Sequence, residues 1–165
     1  MMKEQQFWDI IDATLKHSTL EDDIAYDAFL AKQLDKLKER DIVGFQLRLM
    51  ELRRALDSFD VIQVARQLNY YPSREVFNRF CNGIVASGKV FYEKVRNDPS
   101  YIATLLKKEP KTLKYCYYEG FDLVAPNVFR EREGRGSDWE VVLMKQRRLS
   151  KIKDIVGQDL DQDIG

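Results

Sequence analysis

Histidine is almost missing from this chain: His17 stands alone among 165 residues. Catalysis that needs a serine–histidine or cysteine–histidine pair therefore has one candidate base. His17 sits beside Lys16 and Ser18 near the expected end of a helix, where a solvated, weakly capping role is the favoured assignment. Cysteine is scarce too. Cys81 and Cys116 fit two reduced, buried thiols, with a disulfide between them the less favoured alternative. Two cysteines and one histidine do not supply a structural zinc site. The carboxylates are scattered, and no glycine-rich phosphate loop is present, so neither a metal nor a cofactor is expected.

Net charge is also absent. The 27 basic and 27 acidic groups cancel, so overall charge gives no argument for nucleic acid or membrane. The distribution is uneven, however. Residues 1–30 hold two basic and seven acidic groups, and residues 61–135 hold thirteen and eight. No apolar run approaches the length of a membrane span, and MMKEQQFWDIID lacks the apolar core of a secretion signal. The expectation is a soluble, cytoplasmic protein.

Glycine and proline are few, eight and four residues, which argues for helices over hairpins. Against these shortages stand nine Phe, eight Tyr and two Trp, enough to require a core. Helical spacing recurs throughout. Phe7, Ile11 and Leu15 share a face over residues 3–16. Thr19 is the expected cap of the next helix, with Asp22 completing a capping-box variant. Ile42, Phe45, Leu49, Leu52 and Leu56 step by three, four, three and four. A short helix follows over 59–69.

Ser73 is the expected cap of a helix carrying Phe77, Phe80, Ile84, Phe91 and Val95 on one stripe. Gly88 falls on that stripe and marks either a close contact or a break between two helices. Asp98–Pro99 opens another helix. Further helices are expected over 112–124 and from the Ser137/Glu140 capping box to about residue 155, with Pro126 and Gly157 as breaks. The fold class is all-α: a single-domain irregular bundle of seven to nine helices. Residues 1–134 form the domain. An amphipathic helix over 137–156 packs on it or on a second copy through Trp139, Val142, Leu149, Ile152 and Val156, and 157–165 is an acidic tail. The basic run Lys145–Lys153 favours the acidic N-terminal helices as its neighbours.

FWDIID (7–12), the Ser73, Phe77, Phe80 spacing, SGKVFYEKVRNDPSYI (87–102) and YEGFDLVAPNVFREREG (118–134) occur in that order. Together they resemble the bacterial domain-of-unknown-function family numbered 4240, over roughly residues 3–134. The resemblance implies a helical bacterial protein and carries no established activity. Two departures stand out. Arg74 and Glu75 replace a usual pair of aspartates, and Cys81 and Gly83 replace a usual arginine and tryptophan.

Three constellations carry chemistry. Glu119 and Asp122 put two carboxylates at helical spacing between aromatics, which acid–base work could use in a cleft. KKEPKTLKYCYY (107–118) mixes four lysines with three tyrosines, the pairing that single-strand binding uses. Glu109 and Pro110 dilute it, so nucleic acid is disfavoured. KQRRLSKIK (145–153) is basic and amphipathic. The leading expectation is a non-enzymatic module that binds another protein, of the immunity, antitoxin or adaptor kind, as monomer or homodimer, with no membrane partner. Its candidate surface is Lys107, Lys108, Lys111, Lys114, Tyr115, Tyr118, Glu119 and Asp122. The alternatives are a carboxylate-cleft enzyme and a weak nucleic-acid binder.

Overall fold

The computed structural model describes residues 1–68, 73–108, 118–133 and 138–162. Among the described residues the protein is all-α, with nine helices and no strand. They are α1 (Glu4–His17), α2 (Asp23–Asp35), α3 (Glu39–Ala55), α4 (Phe59–Gln67), α5 (Arg74–Ala86), α6 (Lys89–Asn97), α7 (Ser100–Lys108), α8 (Phe121–Glu133) and α9 (Trp139–Gln162). Among the described residues, no helix is long and apolar enough to cross a membrane.

Helices α3 and α8 hold the middle. α3 packs against α1, α5, α8 and α9, and α8 also packs against α2 and α5. The stepped stripe of α3 supplies the reason: Ile42, Phe45, Leu49 and Leu52 are all buried. Aromatic rings join these layers. Phe7 stacks on Phe45 at 4.6 Å, and Phe45 meets Phe121 edge-on at 6.4 Å. The residues before α1 lie across α3 at Gly44, where an added Cβ would sit 2.9 Å from the Met2 nitrogen. Arg48 fixes that crossing, its Nε and Nη2 donating to the Met2 carbonyl at 3.0 and 2.8 Å.

Phe77, Phe80 and Ile84 are buried together in α5, and the Ser73 hydroxyl caps that helix by accepting from the Val76 amide. Gly88 is the break between two helices and also a close contact, where an added Cβ would lie 3.0 Å from Cδ1 of Leu15. Its φ of +97°, a region that favours glycine, ends the α5 segment and starts α6. Tyrosine hydroxyls satisfy carbonyls near helix ends that lack an intrahelical donor. Tyr26 donates to Ala86 at 3.0 Å and Tyr92 to Leu52 at 3.0 Å.

Several boundaries differ from the sequence expectation. Asp22, not Thr19, caps α2 by accepting from the Ala25 amide. Of the helix expected over 112–124, residues 112–117 lie outside the described residues, and 118–120 are not helical. The chain is bent at Glu119 and Gly120, and the Tyr118 amide leaves helical geometry to donate to the Arg79 carbonyl at 3.1 Å. Helix α8 starts after that bend and runs through Pro126. The proline there deprives the Asp122 carbonyl of its helical donor, a local cost that burial of Val124, Ala125, Val128 and Phe129 offsets. Likewise α9 passes Gly157 and ends at Gln162, because one glycine costs only about 1 kcal/mol against alanine.

Helix α9 lies against α3 and α8, so the expected acidic neighbours, α1 and α2, are not its main contacts. Trp139 is buried and meets Phe129 at 5.2 Å, while Val142 and Leu143 pack partly against the core. Leu149 and Ile152, expected on that buried face, are exposed. They lie on the other side of the helix from Leu143 and Ser150, the residues turned inward.

Candidate functional site

Among the described residues no group of histidine, cysteine and carboxylate side chains could hold a metal ion. The polar side chains gather in two places, one inside the bundle and one along α9. The interior network joins α3, α5 and α8. Nη1 of Arg53 donates to both carboxylate oxygens of Asp122, at 2.6 and 2.7 Å, and to Oδ1 of Asn82 at 3.2 Å. Asn82 is fully buried, and its amide nitrogen donates to Asp122 at 2.8 Å and to the Tyr118 carbonyl at 3.3 Å. The Asn82 amide and the Asp122 carboxylate thus both find partners, the condition on which such networks are tolerated. Arg53 and Asn82 were not among the candidate residues. The available signal was a polar side chain within an apolar helical face, which Asn82 is.

Beside this network, the Tyr118 hydroxyl donates to the Asp27 carboxylate and lies 3.3 Å from the Asp23 carbonyl. Burial raises the Asp27 carboxyl above its ordinary range; the Tyr118 hydrogen bond opposes that and the nearby Asp23 charge adds to it. Burial also raises the Tyr118 phenol, as do the bond to Asp27 and its charge. Gly120 lies close by, where an added Cβ would sit 2.6 Å from Oδ2 of Asp27 and the carboxylate would have to move.

The expected surface is divided. Tyr118 is buried, Asp122 is bound inside the network, and Glu119 is 65% exposed and paired with Arg79 at 2.9 Å. The two carboxylates therefore answer different arginines. Lys107 and Lys108 end α7, which packs against α4 and α6. Lys111, Lys114 and Tyr115 lie outside the described residues, as does Cys116. Cys81 is buried in α5, and burial pushes its thiol up to about 12, an unreactive setting. His17 stacks on Phe29 with 4.1 Å between ring centres. Arg74 pairs with Asp57 at 2.9 Å and Glu75 with Arg79 at 2.6 Å, so both departures at the start of α5 serve as surface ion pairs.

Helix α9 presents two distinct sides to solvent. On its outer side Val141, Met144, Leu149 and Ile152 are exposed, and the first three line a shallow groove with Glu140, Lys145 and Arg148. On its flank, Arg147, Ser150, Lys151 and Asp154 form one wall of a cleft of about 380 Å³. The facing wall comes from α3 and the start of α5, with Arg53, Arg54, Asp57 and Arg74, over an apolar lining of Leu47, Met50 and Phe77.

The fold and these sites define an all-helical protein organised around α3 and α8, with no metal centre among the described residues. The chain belongs to the family described as protein of unknown function, DUF4240, whose sequence model matches residues 2–131. Helix α9 lies beyond that match. No curated protein and no solved structure matches the chain.

Proposed function

We propose that this protein acts by binding another protein, and that the outer side of α9 is its docking surface. The observation that carries the reading is the exposure of four large apolar side chains on one helix, with Val141 at 68% and Ile152 at 55%. A helix on the surface of a bundle ordinarily turns polar residues outward, and a contiguous apolar patch marks an interaction site. Lys145 and Arg148 line the groove against the single carboxylate of Glu140, so the complementary partner is an acidic amphipathic segment. Two-fold pairing of the patch with itself would set the same basic residues against each other, which disfavours a homodimer through this face.

Immunity protein, antitoxin and adaptor are roles that such a module can fill. The alternatives have less behind them. Glu119 and Asp122 are engaged by Arg79 and Arg53, leaving no shared carboxylate pair for acid–base work. The Lys/Tyr segment contributes a buried Tyr118, which cannot stack on a base while it packs on Phe121.

The test is a photo-reactive residue at Met144 in cells that make the protein, with the same residue at exposed Val90 on α6 as control. A discrete adduct to an acidic protein from position 144, lost with Ile152→Glu, is expected. Equal adducts from both positions would refute the reading. An adduct of two identical chains would replace the acidic partner with a second copy.

A further inference from the structure

The cleft on the flank of α9 is separate from the outer face and has a different chemistry. Five cations line it: Arg53, Arg54, Arg74, Arg147 and Lys151. The carboxylates there are Glu51, Asp57 and Asp154. Asp57 is matched by Arg74, and Glu51 by Arg48. Arg54, Arg147 and Lys151 enter no ion pair among the described residues, which leaves three cations facing Asp154 alone. Arg147 and Lys151 are four residues apart and so lie one turn above the other on α9.

Arg53 adds a built element. Its side-chain bonds among the described residues all run from Nη1, to Asp122 and Asn82. The guanidinium is thus held in one orientation, with only 17% of the side chain exposed. Its Nη2 and Nε remain without a protein acceptor among the described residues. A fixed guanidinium with unspent donors, at a cleft with surplus positive charge, is suited to a tetrahedral oxyanion. The apolar lining of Leu47, Met50 and Phe77 suits a ligand with an organic body, and the volume is within the range of small-molecule sites.

We infer that this cleft binds a small phosphate-bearing organic ligand, its phosphate held by Arg53, Arg54, Arg147 and Lys151. Binding there would tie α9, outside the family match, to α3 and α5 within it. The inference does not depend on the outer face being a docking surface.

Calorimetric titration with pyrophosphate and with adenosine monophosphate, at constant ionic strength, tests it. Saturable binding is expected, weakened at least tenfold in the double variant Arg147→Gln, Lys151→Gln. Both residues are exposed, and an unchanged melting temperature would show that the variant is folded. Lys145→Gln, Arg148→Gln on the outer side should bind like the parent. Equal heats from sulfate, or equal loss in the outer-side variant, would overturn the site as mere charge screening. Vesicles carrying phosphatidic acid form a second arm: binding to them without binding to the soluble phosphates would move the same chemistry to a lipid headgroup and overturn the small-ligand assignment. Saturable binding of polyglutamate with no affinity for either phosphate would assign the cleft to an acidic protein and overturn it too.

Discussion

Nη1 of Arg53 lies between the two carboxylate oxygens of Asp122, 2.6 and 2.7 Å away, with Asn82 closing the triangle. This contact joins α3 to α8 through α5. Arg53 and Asp122 are both less than one-third exposed, so removing one leaves the other poorly solvated.

Asp122→Ala is expected to cost about 2–3 kcal/mol in urea unfolding, because it removes the charge partner of a mostly buried guanidinium and one of the two acceptors of the Asn82 amide. Asp122→Asn keeps an acceptor for Arg53 and should cost less. Equal losses would mean that Asp122 acts through packing alone.

Phe80 is fully buried in α5, with its ring 6.3 Å from that of Phe77. Phe80→Ala should cost about 3–5 kcal/mol, the range for deleting a buried aromatic. A thermal or urea melt measures it, and a loss below about 1 kcal/mol would show that the site collapses around the gap.

These two predictions differ in how well the sequence announced them. The stripe Phe77, Phe80, Ile84 repeats at helical spacing, so burial followed from periodicity. The same holds for Ile42, Phe45, Leu49 and Leu52. The Arg53–Asp122 contact spans 69 positions, and nothing local marks which arginine meets which aspartate. Spacing makes Asp122 half of a carboxylate pair with Glu119, because it shows a shared helical face but not the partners beyond it. The bend at Gly120 then separated their roles. The outer face of α9 was misassigned for a related reason. Leu149 and Ile152 are apolar and well spaced, and periodicity does not say which of two apolar sides a helix buries. Trp139 decided it by packing on Phe129.

Asp27 makes a pH prediction. Its carboxyl is raised in the folded protein, chiefly by burial, so ionisation is harder folded than unfolded. The stability it contributes is full below the ordinary carboxylate value of about 3.9 and falls as pH rises through the raised folded value. Asp27→Asn keeps an oxygen acceptor for Tyr118 and has no charge to desolvate. Its melting temperature should therefore gain on the parent protein as pH goes from about 4 to about 7. A constant difference across that window would show that the Asp27 carboxyl titrates alike folded and unfolded.

Gly120→Ala tests the same corner by shape. The new methyl would meet Oδ2 of Asp27 at 2.6 Å, so either the carboxylate gives way or the bend opens. A loss of about 1–3 kcal/mol is expected, as for overpacking elsewhere. Combining it with Asp27→Ala should recover part of that loss. Additive effects in the double variant would place the strain elsewhere.

Truncation after Gly134 asks what α9 contributes. Trp139 is buried against Phe129, and Val142 and Leu143 pack partly on the core, so removing the helix uncovers apolar surface on α3 and α8. Burial of one such aromatic is worth about 3–5 kcal/mol when it is cut back to alanine. The exposed Leu149 and Ile152 add nothing to that sum in a single chain. The shortened protein should therefore melt well below the parent, and Trp139→Ala alone should account for much of the drop. Leu149→Ser, Ile152→Ser should leave the melt unchanged while abolishing any adduct formed through Met144. If truncation leaves the melting temperature intact, α9 is a loosely held arm and Trp139 contributes no packing energy. If instead it halves the mass measured by light scattering, the apolar outer face was covered by a second copy and the acidic partner is not needed.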